Sequence, residues 1–173
     1  GAKLTDVAGN EIARGGAALI DCVKIDVSGL DPRLAQTTFV LASDVKNPLL
    51  GVDGAARVFS PQKGASGEEV EILEKSVARF ASLVGGPHAA SPGAGAAGGF
   101  GFMAYALLSA ASESGIDLIL DLVQFDRQIV GADYIITGEG RFDSQSSQGK
   151  APWGILQRAM KSSIPTFLVC GDA

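Results

Sequence analysis

The sequence is poor in the residues from which metal clusters, disulfides and membrane spans are built. Its 173 residues include one histidine and two cysteines, Cys22 and Cys170, whose spacing matches no common metal-binding motif. Reduced thiols are the simpler interpretation of such a pair, and this favours a cytoplasmic protein. The sequence has no run of about 18 apolar residues, so no membrane-spanning helix is expected. The first residues lack the apolar segment of a signal peptide.

Positive charge is also scarce, because 14 basic residues stand against 19 acidic ones and the net charge is −5. Broad binding to nucleic acid or to an anionic membrane needs a basic surface, so neither partner is expected. A local cationic pocket for a small anion is compatible with this balance. The length corresponds to about one domain, and a hydrophobic fraction of 46% excludes wholesale disorder.

What the sequence does contain is an alternation of apolar strands and helices. The patterns predict strands over 37–45, 132–137 and 164–170, and helices over 68–84, 99–112 and 150–161. Residues 39–42 are continuously apolar, which is typical of a strand covered on both faces. Strands that alternate with helices favour an α/β fold, with a mostly parallel sheet and flanking helices.

A Gly-x-Gly-x-x-Gly pattern runs from Gly93 to Gly98. A dinucleotide site needs a strand directly before this pattern, whereas residues 86–92 have the composition of a loop. Two other interpretations stay open. The segment can be a small-residue helix packed tightly on the sheet, or a helix start whose N–H groups bind an anion. A dinucleotide-dependent oxidoreductase is the function that this pattern supports least.

Two candidate groups follow the first predicted strand. Asp44 lies at the edge where open α/β sheets bind ligands, and it can hold Mg²⁺ or accept a proton from a hydroxyl group. An aspartate that caps the next turn is the structural alternative. Lys63 stands in a loop between Pro61 and Gly64, where a lysine can contact phosphate as a point charge. A solvated turn lysine is the alternative there.

Residues 138–150 hold the densest set of functional groups. The segment follows a predicted strand and precedes a predicted helix, and it contains two acidic residues, two basic residues, three serines and two glutamines. Its end, Gly149 and Lys150, is similar to a phosphate-binding loop, but the other positions of that motif do not match. An ordinary polar connection is the alternative. We expect Asp44 and this segment to face one cleft.

Five segments occur together in one order, at 25–33, 43–51, 61–65, 95–99 and 138–154. In combination they resemble the bacterial glycerate kinase family (type I), and the resemblance covers essentially the whole chain. It implies part of a two-domain α/β kinase that uses ATP and Mg²⁺ to phosphorylate D-glycerate to 2-phosphoglycerate. Phosphorylation of the 3-hydroxyl and a non-catalytic ligand-binding domain are the alternatives, and a homo-oligomer is left open.

The sequence also departs from the family pattern. Members of the family extend further at both ends, with a Gly-rich segment before the position where this sequence starts. Ser60 stands where glycine is usual. We therefore expect this chain to be a fragment that is inactive alone, with residues 1–36 and 37–173 in different lobes of the whole protein.

The resemblance and the needs of phosphoryl transfer together imply roles for individual residues, because cations neutralise the transferred charge and carboxylates hold metal or orient the hydroxyl. Catalysis is expected of Asp44, Lys63 and Arg141, and metal binding of Asp44, Glu139 and Asp143. Substrate or phosphate binding is expected of Asn47, Gln62, Gly64, Gly95, Gly98, Gly140, Gln145, Ser146, Gly149 and Lys150.

Overall fold

The computed structural model describes residues 1–141 and 151–172. These residues form two compact units. The first unit comprises residues 1–41 and 45–112, and the second comprises 42–44 and the described residues from 113 onward. The division expected at residue 36 concerns lobes of a longer protein and stays a prediction. Within the described ranges, no helix combines the length and hydrophobicity that a membrane crossing requires.

The first unit contains a short antiparallel strand pair, three helices and several 3-10 turns. Its elements are β1 (Lys3–Thr5), β2 (Lys24–Asp26), α1 (Ala55–Phe59), α2 (Gly67–Val84) and α3 (Phe100–Leu108). The 3-10 turns lie at Ala17–Asp21, Pro32–Gln36, Pro61–Lys63, Pro87–Ala90 and Ala96–Gly98. Strands β1 and β2 pair antiparallel, with Lys3 opposite Asp26.

Helix α2 organises the first unit. Its apolar residues recur at helical spacing and face the core, as the sequence predicts, so the helix expected over 68–84 is confirmed at 67–84. On this face the buried Ser76 hydroxyl lies 3.0 Å from the Ala17 carbonyl oxygen, and Arg79 Nε donates to the Cys22 carbonyl oxygen at 2.9 Å. These bonds tie the segment between β1 and β2 to the helix.

The core of the first unit lies where α2 and α3 meet the segment before α1. Phe102 and Leu49 are each 1% exposed, and the Phe80 and Phe102 rings meet edge to face with centroids 6.2 Å apart. Tyr105 belongs to the same cluster, and its hydroxyl donates to the Pro92 carbonyl oxygen at 2.9 Å. The core therefore forms largely between segments that are distant in sequence.

Strand β3 (Val40–Ala42) pairs with β4 (Ala111–Glu113). The strand predicted over 37–45 is therefore located correctly, but the observed strand is shorter. Helix α3 also ends earlier than predicted, because Ser109 adopts a left-handed conformation with φ +51. The sequence predicts that both faces of residues 39–42 are covered. Val40 is 41% exposed, so within the described chain this prediction is wrong for one face.

Within its described residues, the second unit contains a parallel strand pair and three helices. Its elements are α4 (Gly115–Leu122), α5 (Phe125–Gln128), β5 (Ile135–Arg141), α6 (Ala151–Lys161) and β6 (Thr166–Asp172). The parallel register of β5 and β6 runs from Ile135 opposite Thr166 to Arg141 opposite Asp172. Parallel strands joined through a helix are the unit from which α/β folds are built, so the predicted fold class is confirmed.

An ionic cluster joins the helices of the second unit. Arg158 of α6 lies 2.6 Å from Asp121 and 2.7 Å from Asp126, and its side chain is 15% exposed. Hydrogen bonding to Asp121, and then to Asp126, raises the pKa of the Arg158 guanidinium above its usual value. The cluster fixes α6 against α4 and α5.

Strand β5 begins and ends later in the sequence than the strand predicted over 132–137. The strand starts at Ile135 and continues to Arg141, so residues 138–141 are extended rather than looped. Gly138 makes this possible, because a Cβ there would lie 2.6 Å from the Val169 carbonyl oxygen of β6. The pairing with β6 depends on residues about 30 positions away, which local sequence patterns do not report.

Candidate functional site

A cavity of about 440 Å³ in the second unit contains the first of the predicted site residues. Asp44 and Glu139 both line it. The other lining residues come from the start of α4, from β5 and from the start of α6, and they are Gly115, Ile116, Ile119, Gly138, Ala151 and Pro152. The cavity thus lies where strand β5 meets the N-terminal ends of two helices, the position at which α/β proteins bind ligands.

Asp44 is held by the first residue of α4. It follows β3 by two positions, and its Oδ1 accepts a hydrogen bond from the Gly115 N–H at 3.0 Å. The end of α4 is itself fixed, because the Ser114 hydroxyl accepts a hydrogen bond from the Asp117 N–H at 3.4 Å. The carboxylate is therefore oriented by a capped helix rather than by its own loop.

Glu139 reaches the cavity from the middle of β5, where it lies opposite Cys170 of β6. The residue is half-buried, and its Oε1 is inaccessible to solvent. The structure therefore brings together two of the three predicted metal ligands. Among residues 1–141 and 151–172, no group of three His, Cys, Asp or Glu side chains is arranged to hold a metal ion.

Arg141 and Gly140 occupy the end of β5. The Arg141 Nε lies 3.7 Å from Asp172 Oδ2, and both side chains are largely exposed, at 72% and 70%. Gly140 has open space where a side chain would be. A guanidinium this accessible can bind an anionic substrate group.

Lys63, Gln62 and Gly64 lie in the first unit, on and just after the 3-10 turn at Pro61–Lys63. Gly64 ends this turn in a left-handed conformation with φ +98, which favours glycine. Lys63 and Gly64 line a second cavity of about 600 Å³, together with Ser60 and α2 residues that include Glu69 and Ile72. The lysine is exposed, so its ammonium can contact an anion.

Asn47 and Gly95 contact each other in the first unit. The Gly95 N–H donates to the Asn47 carbonyl oxygen at 2.9 Å, and Asn47 Nδ2 donates to the Asp53 carbonyl oxygen at 2.8 Å. The Gly95 amide is therefore already used within the protein, and a role in binding must rest on its lack of a side chain. Gly98 is exposed with φ +72, a left-handed conformation that favours glycine.

The remaining predicted residues, Asp143, Gln145, Ser146, Gly149 and Lys150, lie outside the described residues. Conversely, Gly115 and Pro152 line the cavity around Asp44 and are not among the predicted site residues. The sequence carries a signal for Gly115, because Ser114 before the amphipathic segment 116–122 is a typical helix N-cap.

The fold is that of an α/β protein, and its carboxylate-lined cavity lies where such proteins bind ligands. The family model described as the Glycerate kinase family matches residues 1–173, and the chain belongs to that family. The resemblance stated from the five sequence segments is therefore confirmed.

Individual relatives agree with this assignment. The chain is 42% identical to a glycerate kinase of Bacillus subtilis and 42% identical to a glycerate 2-kinase of Escherichia coli, in each case over 99% of this chain. It also matches the crystal structure of a provisionally named glycerate kinase 2 from Salmonella typhimurium LT2, with a TM-score of 0.88 and 41% identity over 99% of this chain and 47% of that one. The chain spans 46% of the length of the two curated relatives.

Proposed function

We propose that the longer protein to which these residues belong transfers a phosphoryl group from ATP to D-glycerate and produces 2-phosphoglycerate. The observation that carries the proposal is the presence of Asp44 and Glu139 in one cavity of a chain from the Glycerate kinase family. Transfer to the 2-hydroxyl, rather than to the 3-hydroxyl, is supported by the name of the Escherichia coli relative.

The two carboxylates fit a magnesium ion. Mg²⁺ prefers oxygen ligands, and phosphoryl-transfer sites usually hold it through one or two carboxylates and the substrate phosphates. Asp44 and Glu139 are its proposed protein ligands, with Asp143 as the third. An ion held there would neutralise charge on the phosphoryl oxygens. Asp44 is also proposed to accept the proton of the glycerate hydroxyl.

Lys63 and Arg141 are the proposed catalytic cations. Phosphoryl transfer depends on positioning and on neutralisation of the phosphate oxygens, so each cation is expected to act mainly in the transition state. Residues with proposed substrate or phosphate contacts are Asn47, Gln62, Gly64, Gly95, Gly98 and Gly140, together with Gln145, Ser146, Gly149 and Lys150. We also propose a cytoplasmic location, which the free thiols of Cys22 and Cys170 support.

The proposal is tested by incubating the longer protein with ATP, Mg²⁺ and D-glycerate and identifying the product by ³¹P NMR. We expect 2-phosphoglycerate and one ADP for each product formed. The product 3-phosphoglycerate would overturn the regiochemistry, and a protein that binds glycerate without releasing ADP would be a binding domain. Residues 1–173 assayed alongside are expected to release no ADP.

The two cations are tested one at a time in the longer protein. Lys63→Ala and Arg141→Ala are each expected to lower kcat/KM by orders of magnitude, about 10²-fold or more, with thermal unfolding unchanged. Lys161→Ala, which removes an exposed lysine at the end of α6, is the control and is expected to retain activity. Near-normal kcat/KM in either variant would remove that residue from the site.

A further inference from the structure

Gly115 touches the Asp44 carboxylate in two ways. Its N–H donates to Asp44 Oδ1 at 3.0 Å across 71 positions of sequence. Its missing side chain matters as well, since a Cβ at this position would lie 3.3 Å from Oδ2 and 3.6 Å from Oδ1. The first distance is tighter than ordinary van der Waals contact, so a methyl group would press on Oδ2.

We propose that Gly115 is a positioning residue for Asp44. Its amide fixes Oδ1, and the absence of a Cβ leaves Oδ2 in the orientation that serves the cavity lined by both residues. This inference rests on the proposed function, in which Asp44 binds the metal ion and accepts the proton of the glycerate hydroxyl. Phosphoryl transfer depends on the positions of its catalytic groups, so a displaced carboxylate is expected to lower its rate.

The local architecture supports a positioning role. Gly115 is the first residue of α4, where an N–H has no partner within the helix and is available to a carboxylate. The cap formed by Ser114 and Asp117 holds this N–H in place. The positive end of the helix dipole also favours a negative charge at this point.

The chain provides a matched control for the substitution. Gly67 is the first residue of α2 and follows Ser66, just as Gly115 is the first residue of α4 and follows Ser114. A Cβ at Gly67 would meet nothing within 4 Å. Gly115→Ala and Gly67→Ala therefore differ mainly in the carboxylate next to the new methyl group.

The experiment compares these variants in the longer protein. Both are expected to keep or raise the melting temperature, because alanine favours helix more than glycine does. Gly115→Ala is expected to lower kcat at least about tenfold and to weaken Mn²⁺ binding, measured by EPR titration without substrate. Gly67→Ala is expected to match the unmodified protein in both measurements.

A double variant separates positioning from general disruption. If Gly115 acts through Asp44, adding Gly115→Ala to Asp44→Asn changes kcat by less than about twofold. A further tenfold loss in that background would overturn the inference. It would also be overturned if Gly115→Ala kept kcat and Mn²⁺ affinity while Asp44→Asn lost both. Full activity of Asp44→Asn would instead contradict the proposed function.

Discussion

At Gly95, two backbone segments approach each other too closely for any side chain. A Cβ there would collide with the Pro48 carbonyl oxygen and lie 3.1 Å from the Asn47 carbonyl oxygen. Backbone atoms cannot move aside as a flexible side chain can. Gly95 therefore has a structural requirement for glycine that is independent of any ligand.

We expect Gly95→Ala to lower the free energy of unfolding by about 1–3 kcal/mol, because overpacking displaces the segment around Asn47. The midpoint of urea unfolding measures this change. Gly140→Ala is the control, since a Cβ there would meet no atom within 4 Å. A Gly95→Ala protein as stable as the control would show that residues 47–48 shift without cost.

Single residues of the candidate site differ in how far the sequence reveals them. Asp44 and Glu139 are recognisable because a carboxylate near the end of an apolar segment is a general feature of α/β sites. Gly115 carries no such chemistry, and its contact with Asp44 depends on a fold that joins residues 71 positions apart. Side-chain type is visible in the sequence, whereas the role of a glycine depends on what lies next to it.

Among the elements, α2 begins with a reciprocal cap. The Ser66 hydroxyl accepts a hydrogen bond from the Glu69 N–H at 3.3 Å, and Glu69 Oε2 accepts one from the Ser66 N–H at 2.7 Å. The hydrogen bond from the Ser66 backbone is the main reason that the pKa of Glu69 lies below its usual value of 4.5. The ionised carboxylate is thus the form that caps the helix.

A capping carboxylate with a lowered pKa stabilises the fold above its unfolded pKa, and this contribution disappears as the pH falls through its folded pKa. We therefore expect Glu69→Gln to lower the melting temperature at pH 7, with an effect that shrinks as the pH falls below the usual carboxyl pKa of 4.5. Melting curves of both proteins from pH 3 to pH 7 measure the difference. Glu68→Gln, one residue earlier and outside the capping box, is the control. If the melting temperatures of Glu69→Gln and the unmodified protein differed equally at every pH, the ionised form of Glu69 would not be the one that stabilises the helix.

Helices and strands also differ in how well they are predicted. The prediction of helix α2 is correct to within one residue because its apolar spacing is a local pattern. The sequence predicts that strand β5 ends at residue 137, because Gly138 and Gly140 are residues typical of loops. Its continuation to Arg141 is supported by pairing with β6. Nonlocal hydrogen bonds decide where strands end, and single-sequence patterns do not contain them.

At the scale of the whole molecule, helix α6 covers one face of the parallel pair β5–β6, and the other face is exposed. Helix α6 packs on these strands, and Leu168 of β6 and Trp153 of α6 line one small cavity. The opposite face of the pair carries Ile136, Phe167 and Val169, because neighbouring positions of a strand point to opposite faces. These side chains are 64%, 58% and 63% exposed. Parallel strands are almost always covered on both faces. An exposed apolar surface of this kind favours association.

We expect residues 1–173, produced alone, to self-associate with increasing concentration through this face. Val169→Lys places a charge at its centre and is expected to shift the chain towards the monomer, as measured by size-exclusion chromatography with light scattering. Val130→Lys is the matched control, because Val130 is 80% exposed but lies outside both strands. Equal association of the two variants would show that another surface is responsible, and a monomeric chain at every concentration would show that this face does not drive association.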